Sequence, residues 1–455
     1  MKRNLSSYLK HSAFHYALRK RASPNETIVL ASVDSGYLDM AINLYVSSLR
    51  RFSIENYLFV GSDPAVCVAL SALNITCVEY IRDRDAESAS VYSSDAFKRK
   101  THLKTKMVLE ALRLGLSVLL VDLDVVFFAN PLPLFACDAC DLEISSDVIA
   151  VNSGFYFARS TPAALKLHKN AWNYGLARPD VSNQKVIGQY LNRMKGRKEI
   201  NVKHLDPEKY VNGKQFFYDG ARIFKGDNPC SDCIVVHNNW IVSLAAKIYR
   251  FKEFGLWHYD KDGYYSNETN KYLSFSFPKR YEGMQTNVVE RNTLKNALIV
   301  GALLNRIVIL PKFHCIGREC FHNRKTCPVK CSLGSELNME VFDNHLNGKY
   351  RESVFLTHDK VPNAIKRSLS PYYMIVHRGD EGLKNIPIHV RRRYAKSPDV
   401  VTSTEIMHWF RNRTEAVLRF YSLYDVWIYD ENDRKIQAIL RRIEKAFEWN
   451  RHEKY

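Results

Sequence analysis

The chain has 455 residues, enough for two or three domains at roughly 150 residues each, and 46% apolar against 25% charged residues is the balance of an ordinary globular protein. Extended disorder, collagen and coiled coil are excluded as the main architecture. No run of eighteen apolar residues predicts a membrane span, so any membrane attachment is expected through an anchor absent from this chain. Lys plus Arg outnumber Asp plus Glu by 66 to 48, a net +18. Such an excess suits an anionic partner or a solvated basic surface. No helix-turn-helix, RRM or zinc-knuckle pattern interleaves the basic residues with aromatics, which argues against nucleic acid. Six basic residues and no acid lie in the first 21 positions, so residues 1–26 read as a basic N-terminal segment or tail.

TIVLASVD (27–34) reads as a buried strand ending in an aspartate, and residues 38–54 as a helix. Strands at NYLFVGSD (56–63) and NITCVEYI (74–81) follow. Strands alternating with helices at this spacing predict a parallel sheet. Helical spacing at Leu103, Met107, Ala111 and Leu114 ends at Gly115, and SVLLVDLDVVFF (117–128) reads as one apolar strand broken only by Asp122 and Asp124. VIAVNSGFYFARS (148–160) and CIVVHNNW (233–240) read as further strands, the latter delivering His237 to its end. The fold class expected is α/β, a Rossmann-like, mostly parallel sheet with helices on both faces, spanning 27–260.

Residues 261–284 are polar and turn-rich, as in a linker. Residues 285–455 then read as a second, smaller α/β domain: a helix at 291–306, strands at 307–313, 372–378, 385–391 and 425–431, and helices around 404–420 and 433–449. Ten cysteines include two C-x-x-C pairs, Cys137 with Cys140 and Cys230 with Cys233, and a cluster of Cys315, Cys320, Cys327 and Cys331. Disulfides in an oxidising compartment account for them better than zinc, because the two pairs lie 90 residues apart. Five sequons, at Asn4, Asn25, Asn74, Asn267 and Asn412, agree with a secretory lumen. The Golgi or another part of the secretory pathway is the expected location, with the cytoplasm as the alternative.

Residues two apart on a strand project to one side, so Asp122 and Asp124 would share a face. Two carboxylates among Val, Leu and Phe need a cation, donors or solvent. At the carboxyl edge of a parallel sheet, a hard divalent cation such as Mg²⁺ or Mn²⁺ is the economical partner.

The stretches LEALRLGLSVLLVDLDVVFFANPL (109–132), VNSGFYFARST (151–161), VVHNNW (235–240) and KIYRFKEFGLW (247–257) resemble glycosyltransferase family 77. Its members are retaining, metal-dependent enzymes of the GT-A fold that use nucleotide sugars. RNTLKNALIVGALLNRIVILPKFHC and CPVKCSLGSELNME resemble the C-terminal extension of the plant extensin arabinosyltransferases. The resemblance implies a UDP-sugar donor, Mn²⁺ or Mg²⁺, and a hydroxyl of a glycan or glycoprotein as acceptor. It implies Asp122, Asp124 and His237 as metal ligands, Asp122 doubling as a ribose contact. Lys106 and Lys247 would meet the donor, with Lys104 as the rival to Lys106, and Asp34 would read the uridine. Asn152, Ser153 and Gly154 match an acceptor-side loop, where Gly permits close approach of backbone and sugar. Asn183 and Gln184 stand where the family often carries Asp-Gln, so Asn183 withdraws a charge from the expected catalytic position. A haloacid-dehalogenase-like phosphohydrolase and a catalytically inactive UDP-binding relative are the competing expectations.

Overall fold

The computed structural model describes residues 2–80, 94–147, 150–217, 230–277, 286–314, 330–331, 333–375, 383–385, 399–423, 426–429 and 434–448. It divides into two units, Met1–Lys247 with Trp257–Tyr259, and Ile248–Leu256 with Asp260–Tyr455.

The first unit is built on β1 (Thr27–Val33), β2 (Tyr57–Gly61), β3 (Cys77–Glu79), β4 (Ser117–Val121), β5 (Val125–Phe127), β6 (Leu142–Ser146), β7 (Val151–Ala158), β8 (Val202–His204), β9 (Tyr210–Asn212) and β10 (Val235–His237). Seven of these form one sheet in the order β3-β2-β1-β4-β7-β6-β8. Pairing is parallel between β3, β2, β1 and β4 and between β6 and β8, while β7 runs antiparallel to both β4 and β6. The expected α/β class with a mostly parallel sheet is therefore present. Alternation explains why the central strands read as continuous apolar runs. Ile28, Leu30, Val118 and Leu120 enter one core, and Val29, Ala31, Val33, Leu119 and Val121 enter the core on the opposite face.

Helices α1 (Lys2–Arg21), α2 (Leu38–Leu44), α3 (Pro64–Ala72), α4 (Asp95–Arg113), α5 (Pro162–Ala177) and α6 (Asn183–Gly196) flank the sheet. Asp63, Ser94, Thr161 and Ser182 cap α3 to α6 by accepting from the backbone N–H three residues on. The basic head is no tail. Phe14 and Leu18 of α1 are fully buried, Phe14 stacks on Tyr80 with ring centroids 4.1 Å apart, and His15 Nε2 lies 3.1 Å from the buried carboxylate of Glu110. Buried apolar residues on one side thus dock a helix whose composition reads as solvated.

The expected single strand at 117–128 is two. β4 ends at Val121, the chain turns through 122–124, and β5 joins a separate three-stranded sheet, β5-β10-β9. Asp122 and Asp124 thus sit in the turn between two sheets, Asp122 partly exposed and Asp124 buried.

His168 of α5 is buried beneath the sheet. Its Nδ1–H donates to the Ala164 carbonyl at 2.8 Å, so Nε2 accepts from the Tyr156 hydroxyl at 3.0 Å. Burial, only partly offset by the Ala164 bond, pulls its pKa from the ordinary 6.5 to about 4. The folded chain therefore holds the neutral ring. Its contribution to stability is complete above pH 6.5 and is lost as the pH falls from 6.5 through 4, where the unfolded chain takes up the proton first. At about 1.4 kcal/mol per pKa unit the loss amounts to about 3 kcal/mol. Urea midpoints across that window should fall more steeply in the wild type than in His168→Gln.

The second unit carries a six-stranded sheet in the order Tyr350–Arg351, Ile307–Ile309, Tyr272–Phe275, Val417–Phe420, Leu369–Ile375, Leu383–Asn385, parallel except for the last pair. The helix Thr286–Leu303 leads into Ile307–Ile309 as expected. Two expectations are corrected. Residues 261–284 are not all linker, because Tyr272–Phe275 is a central strand too short to show periodicity. Residues 404–420 are not one helix but the helix Ser403–Phe410 followed by the strand Val417–Phe420. Of the strand read at 385–391, only Asn385 falls within the described residues.

Cysteines pair as Cys67–Cys77, Cys137–Cys140 and Cys230–Cys233. Each C-x-x-C closes on itself, which removes the zinc reading. Of the C-terminal cluster, Cys331 is described, and Cys315, Cys320 and Cys327 lie outside the described residues.

Candidate active site

The chain leaves β4 through Asp122, whose N–H donates to the Gly154 carbonyl at 2.7 Å, and reaches Asp124, whose carbonyl accepts from Asn238 N–H at 2.7 Å. His237 closes β10 directly opposite Val125 of β5, so register alone brings its ring beside Asp124. Nε2 of His237 lies 3.2 Å from Asp124 Oδ1. One ligand atom from each of Asp122, Asp124 and His237 falls within 4.8 Å of the others. Three residues from two chain regions 113 positions apart converge.

Two lysines complete the cluster. Lys104 Nζ is 2.7 Å from Asp122 Oδ1, and Lys247 Nζ, on the helix Leu244–Glu253, is 2.5 Å from Asp124 Oδ2. Burial raises the Asp124 pKa, but Lys247 and His237 together outweigh it and hold the carboxyl well below the ordinary range. Burial likewise opposes the Lys247 charge, and Asp124 more than restores it, so that ammonium is held above its usual value. Both groups are charged at neutral pH.

Gly154 explains why these groups can meet. A Cβ there would lie 2.5 Å from Asp122 Oδ2 and 2.6 Å from His237 Cε1. The close approach that it permits is therefore that of the two candidate ligands. The Gly154 N–H donates to Asn152 Oδ1 at 2.8 Å, which turns the Asn152 amide N–H toward His237 Nδ1 at 3.1 Å. In the neutral ring the proton then sits on Nε2 and points at Asp124.

Asn183 and Gln184 open α6 next to this loop. Ser153 N–H donates to Gln184 Oε1 at 3.3 Å, and Ser153 Oγ lies 3.5 Å from Asn183 Oδ1. Asn183 is buried, and its Nδ2 has no hydrogen-bond partner among the described residues. Asp180, the nearest alternative carboxylate in sequence, is exposed and held bidentately by Arg178 at 2.9 and 2.8 Å. At the end of β1, Asp34 accepts from Tyr37 N–H and from Lys100 Nζ at 2.8 Å. Burial pushes its pKa up in spite of Lys100.

Lys106 is not brought to the cluster. Its Nζ bonds Glu110 Oε1 at 2.6 Å and lies over the Trp172 ring. Residues two apart on a helix point about 200° from each other, so Lys104 and Lys106 cannot both face the aspartates. Lys100 and Lys104, one turn apart, share the site face. Tyr37 carries no motif in the sequence that marks it. It lies within electrostatic reach of Lys247, Asp124, Asp34 and Asp122, and burial raises its phenol pKa.

Residues 53–251 match the family described as nucleotide-diphospho-sugar transferase. Beta-arabinofuranosyltransferase RAY1 of Arabidopsis thaliana is 30% identical over 263 residues, covering 52% of this chain and 49% of that protein. A UDP-galactose:fucoside alpha-3-galactosyltransferase of Dictyostelium discoideum is 25% identical over 291 residues, covering 52% and 44%. The chain thus spans about half the length of these two relatives. Among solved structures, mouse xyloside xylosyltransferase 1 is 13% identical, covering 47% of this chain and 98% of that one, with a TM-score of 0.30. The residues matched to the nucleotide-diphospho-sugar transferase family, 53–251, hold the aspartate pair, His237 and both site lysines.

Proposed function

We propose that the first unit transfers a sugar from a UDP-sugar to a hydroxyl of a glycan or glycoprotein, with retention and with a divalent cation held by Asp122, Asp124 and His237. The observation that carries this reading is the convergence of those three side chains at the end of β4. Two carboxylate oxygens and an imidazole nitrogen suit Mn²⁺ better than Mg²⁺, which prefers oxygen alone. A ring nitrogen of His237 would hold the cation, with the Asn152 amide beside Nδ1 orienting the ring. A bound cation would supply positive charge against the departing diphosphate. Lys104 and Lys247 are placed to share that task, and no strong general acid is then needed. Asp34 and Tyr37 suit the uridine side. Asn183 and Gln184 suit the donor sugar. Asn183 offers no nucleophilic carboxylate, and Asp180 is occupied by Arg178, which favours attack from the face that the diphosphate leaves. Three disulfides support an oxidising lumen as the location. No helix among the described residues is long and apolar enough to cross a membrane.

Charge arithmetic gives the test. Two aspartates and two lysines balance, so the positive charge of a cation finds its counter-charge in the diphosphate. Mn²⁺ and UDP should therefore raise the unfolding temperature together by more than the sum of their separate effects. Lys104→Met should weaken UDP binding by about tenfold, the effect of one charge-assisted bond, while Lys106→Met leaves it unchanged. A panel of UDP-xylose, UDP-galactose and UDP-arabinofuranose then scores UDP release. Absence of joint protection would sink the transferase reading, and protection without release would mark an inactive relative.

A further inference from the structure

Trp240 is a large aromatic left 45% exposed, three residues beyond His237. Three residues of chain reach at most about 11 Å, so its backbone lies close to the candidate site. It is held there. Trp240 adopts φ +58, a left-handed conformation that bulky residues avoid, and Ser243 beyond it has φ +73. The flanking backbone enforces this. Asn238 is tied through its N–H to Asp124 and through its amide to the Lys247 carbonyl at 2.9 Å. Asn239 Oδ1 accepts from Gly213 N–H at 2.6 Å, and the backbone there is so close that a Cβ on Gly213 would lie 2.0 Å from the Asn239 carbonyl. The indole itself is pinned, Nε1–H donating to Asp147 Oδ1 at 2.6 Å with Lys214 Nζ 5.8 Å from the ring centre. Asp147 follows Ser146, which with Asn152, Asn212 and His237 lines a small crevice at the same end of the sheet.

A ring fixed at both its backbone and its polar edge, yet not buried, is arranged to present a face. We infer that Trp240 is the platform on which the acceptor sugar stacks, a reading that rests on the transferase assignment above. A sugar ring has one face of C–H groups that is apolar and slightly positive, complementary to an indole face. Its hydroxyls can reach the hydrogen-bonding groups of the neighbouring crevice. One rigid ring beside the transfer centre fits a single sugar unit, whereas a protein partner would call for a wider apolar patch. Asp147 acts as a positioning residue, because it holds the indole edge.

The test uses the full chain with UDP and Mn²⁺ present, and methyl fucoside, methyl xyloside and methyl arabinofuranoside as probes, followed by saturation-transfer NMR. Trp240→Ala should raise the dissociation constant of the glycosides that bind by at least tenfold, and Trp240→Phe should restore most of the binding. Asp147→Ala should give an intermediate, several-fold loss with the indole unchanged in sequence. Joint protection by UDP and Mn²⁺ should persist in all three variants, which also shows that they fold. Unchanged glycoside binding in Trp240→Ala overturns the platform, as does a wild type that binds none of the glycosides while UDP and Mn²⁺ still protect it. A wild type without that protection overturns the donor reading, and the platform with it.

Discussion

Asp124→Asn should lower sugar transfer by about a thousandfold, the scale of losing a principal electrostatic group at a transferring phosphate. It should also lower the unfolding free energy by about 2–3 kcal/mol, the low end for breaking a buried ion pair, since the Lys247 side chain is a fifth exposed (21%). Both effects come from one carboxylate. Asp124 is only 6% exposed, and its two oxygens are divided between Lys247 at 2.5 Å and His237 at 3.2 Å. Removing the charge leaves the Lys247 ammonium facing a neutral amide in a setting that already opposes ionisation. The double variant Asp124→Asn with Lys247→Met separates the two. It should recover most of the lost stability, because no uncompensated charge is left behind, yet show no Mn²⁺-dependent protection by UDP. Acid does not mimic the substitution at ordinary assay pH. The Asp124 carboxyl is held below the ordinary 3.8, so its contribution is present above that value and is lost only as the pH falls further. Retained joint protection in Asp124→Asn would remove this residue from the cation site.

The parts of this fold legible in the sequence are those where one physical demand acts alone. β1 and β4 read as buried because both of their faces meet apolar cores. Asp122 and Asp124 read as a pair because charges within an apolar run need a polar partner to offset their desolvation, whereas His237 joins them in the sequence only through the family resemblance. What stayed hidden depended on a second, non-local choice. Lys104 rather than Lys106 meets Asp122 because of which side of α4 the sheet lies on, and a list of basic residues does not contain that. The break at 122–124 looks like uninterrupted strand, since β5 is as apolar as β4 and differs only in the partner it finds. Tyr272–Phe275 is four residues long, and Val417–Phe420 follows a helix so closely that local pattern merges the two. α1 reads as a basic tail because, among its described side chains, Phe14 and Leu18 are the only fully buried apolar residues in the first core.

Gly154→Ala is the smallest change expected to dismantle the cation site. The residue is not glycine for conformational freedom: its φ is not positive, and it lies within β7, where any residue can adopt the backbone. It is glycine for space. The Cβ would meet the Asp122 carboxylate on one side and the His237 ring on the other, both well inside contact distance. The backbone cannot retreat, because Gly154 N–H is held by Asn152 and its carbonyl by Asp122 N–H. One or both ligands must therefore rotate away. Overpacking of this kind costs about 1–3 kcal/mol, a modest fall in unfolding temperature. The affinity for Mn²⁺ in the presence of UDP should fall by tenfold or more, since a second ligand is lost along with the first. Gly188→Ala is the control. It lies in the middle of α6, where the nearest neighbour of a new Cβ is Val151 Cγ2 at 3.5 Å, an ordinary contact. That substitution should stabilise the fold by about 0.5–1 kcal/mol and leave the metal dependence as it is. Equal behaviour of the two variants in a Mn²⁺ titration would show that Asp122 and His237 do not act on a common ion.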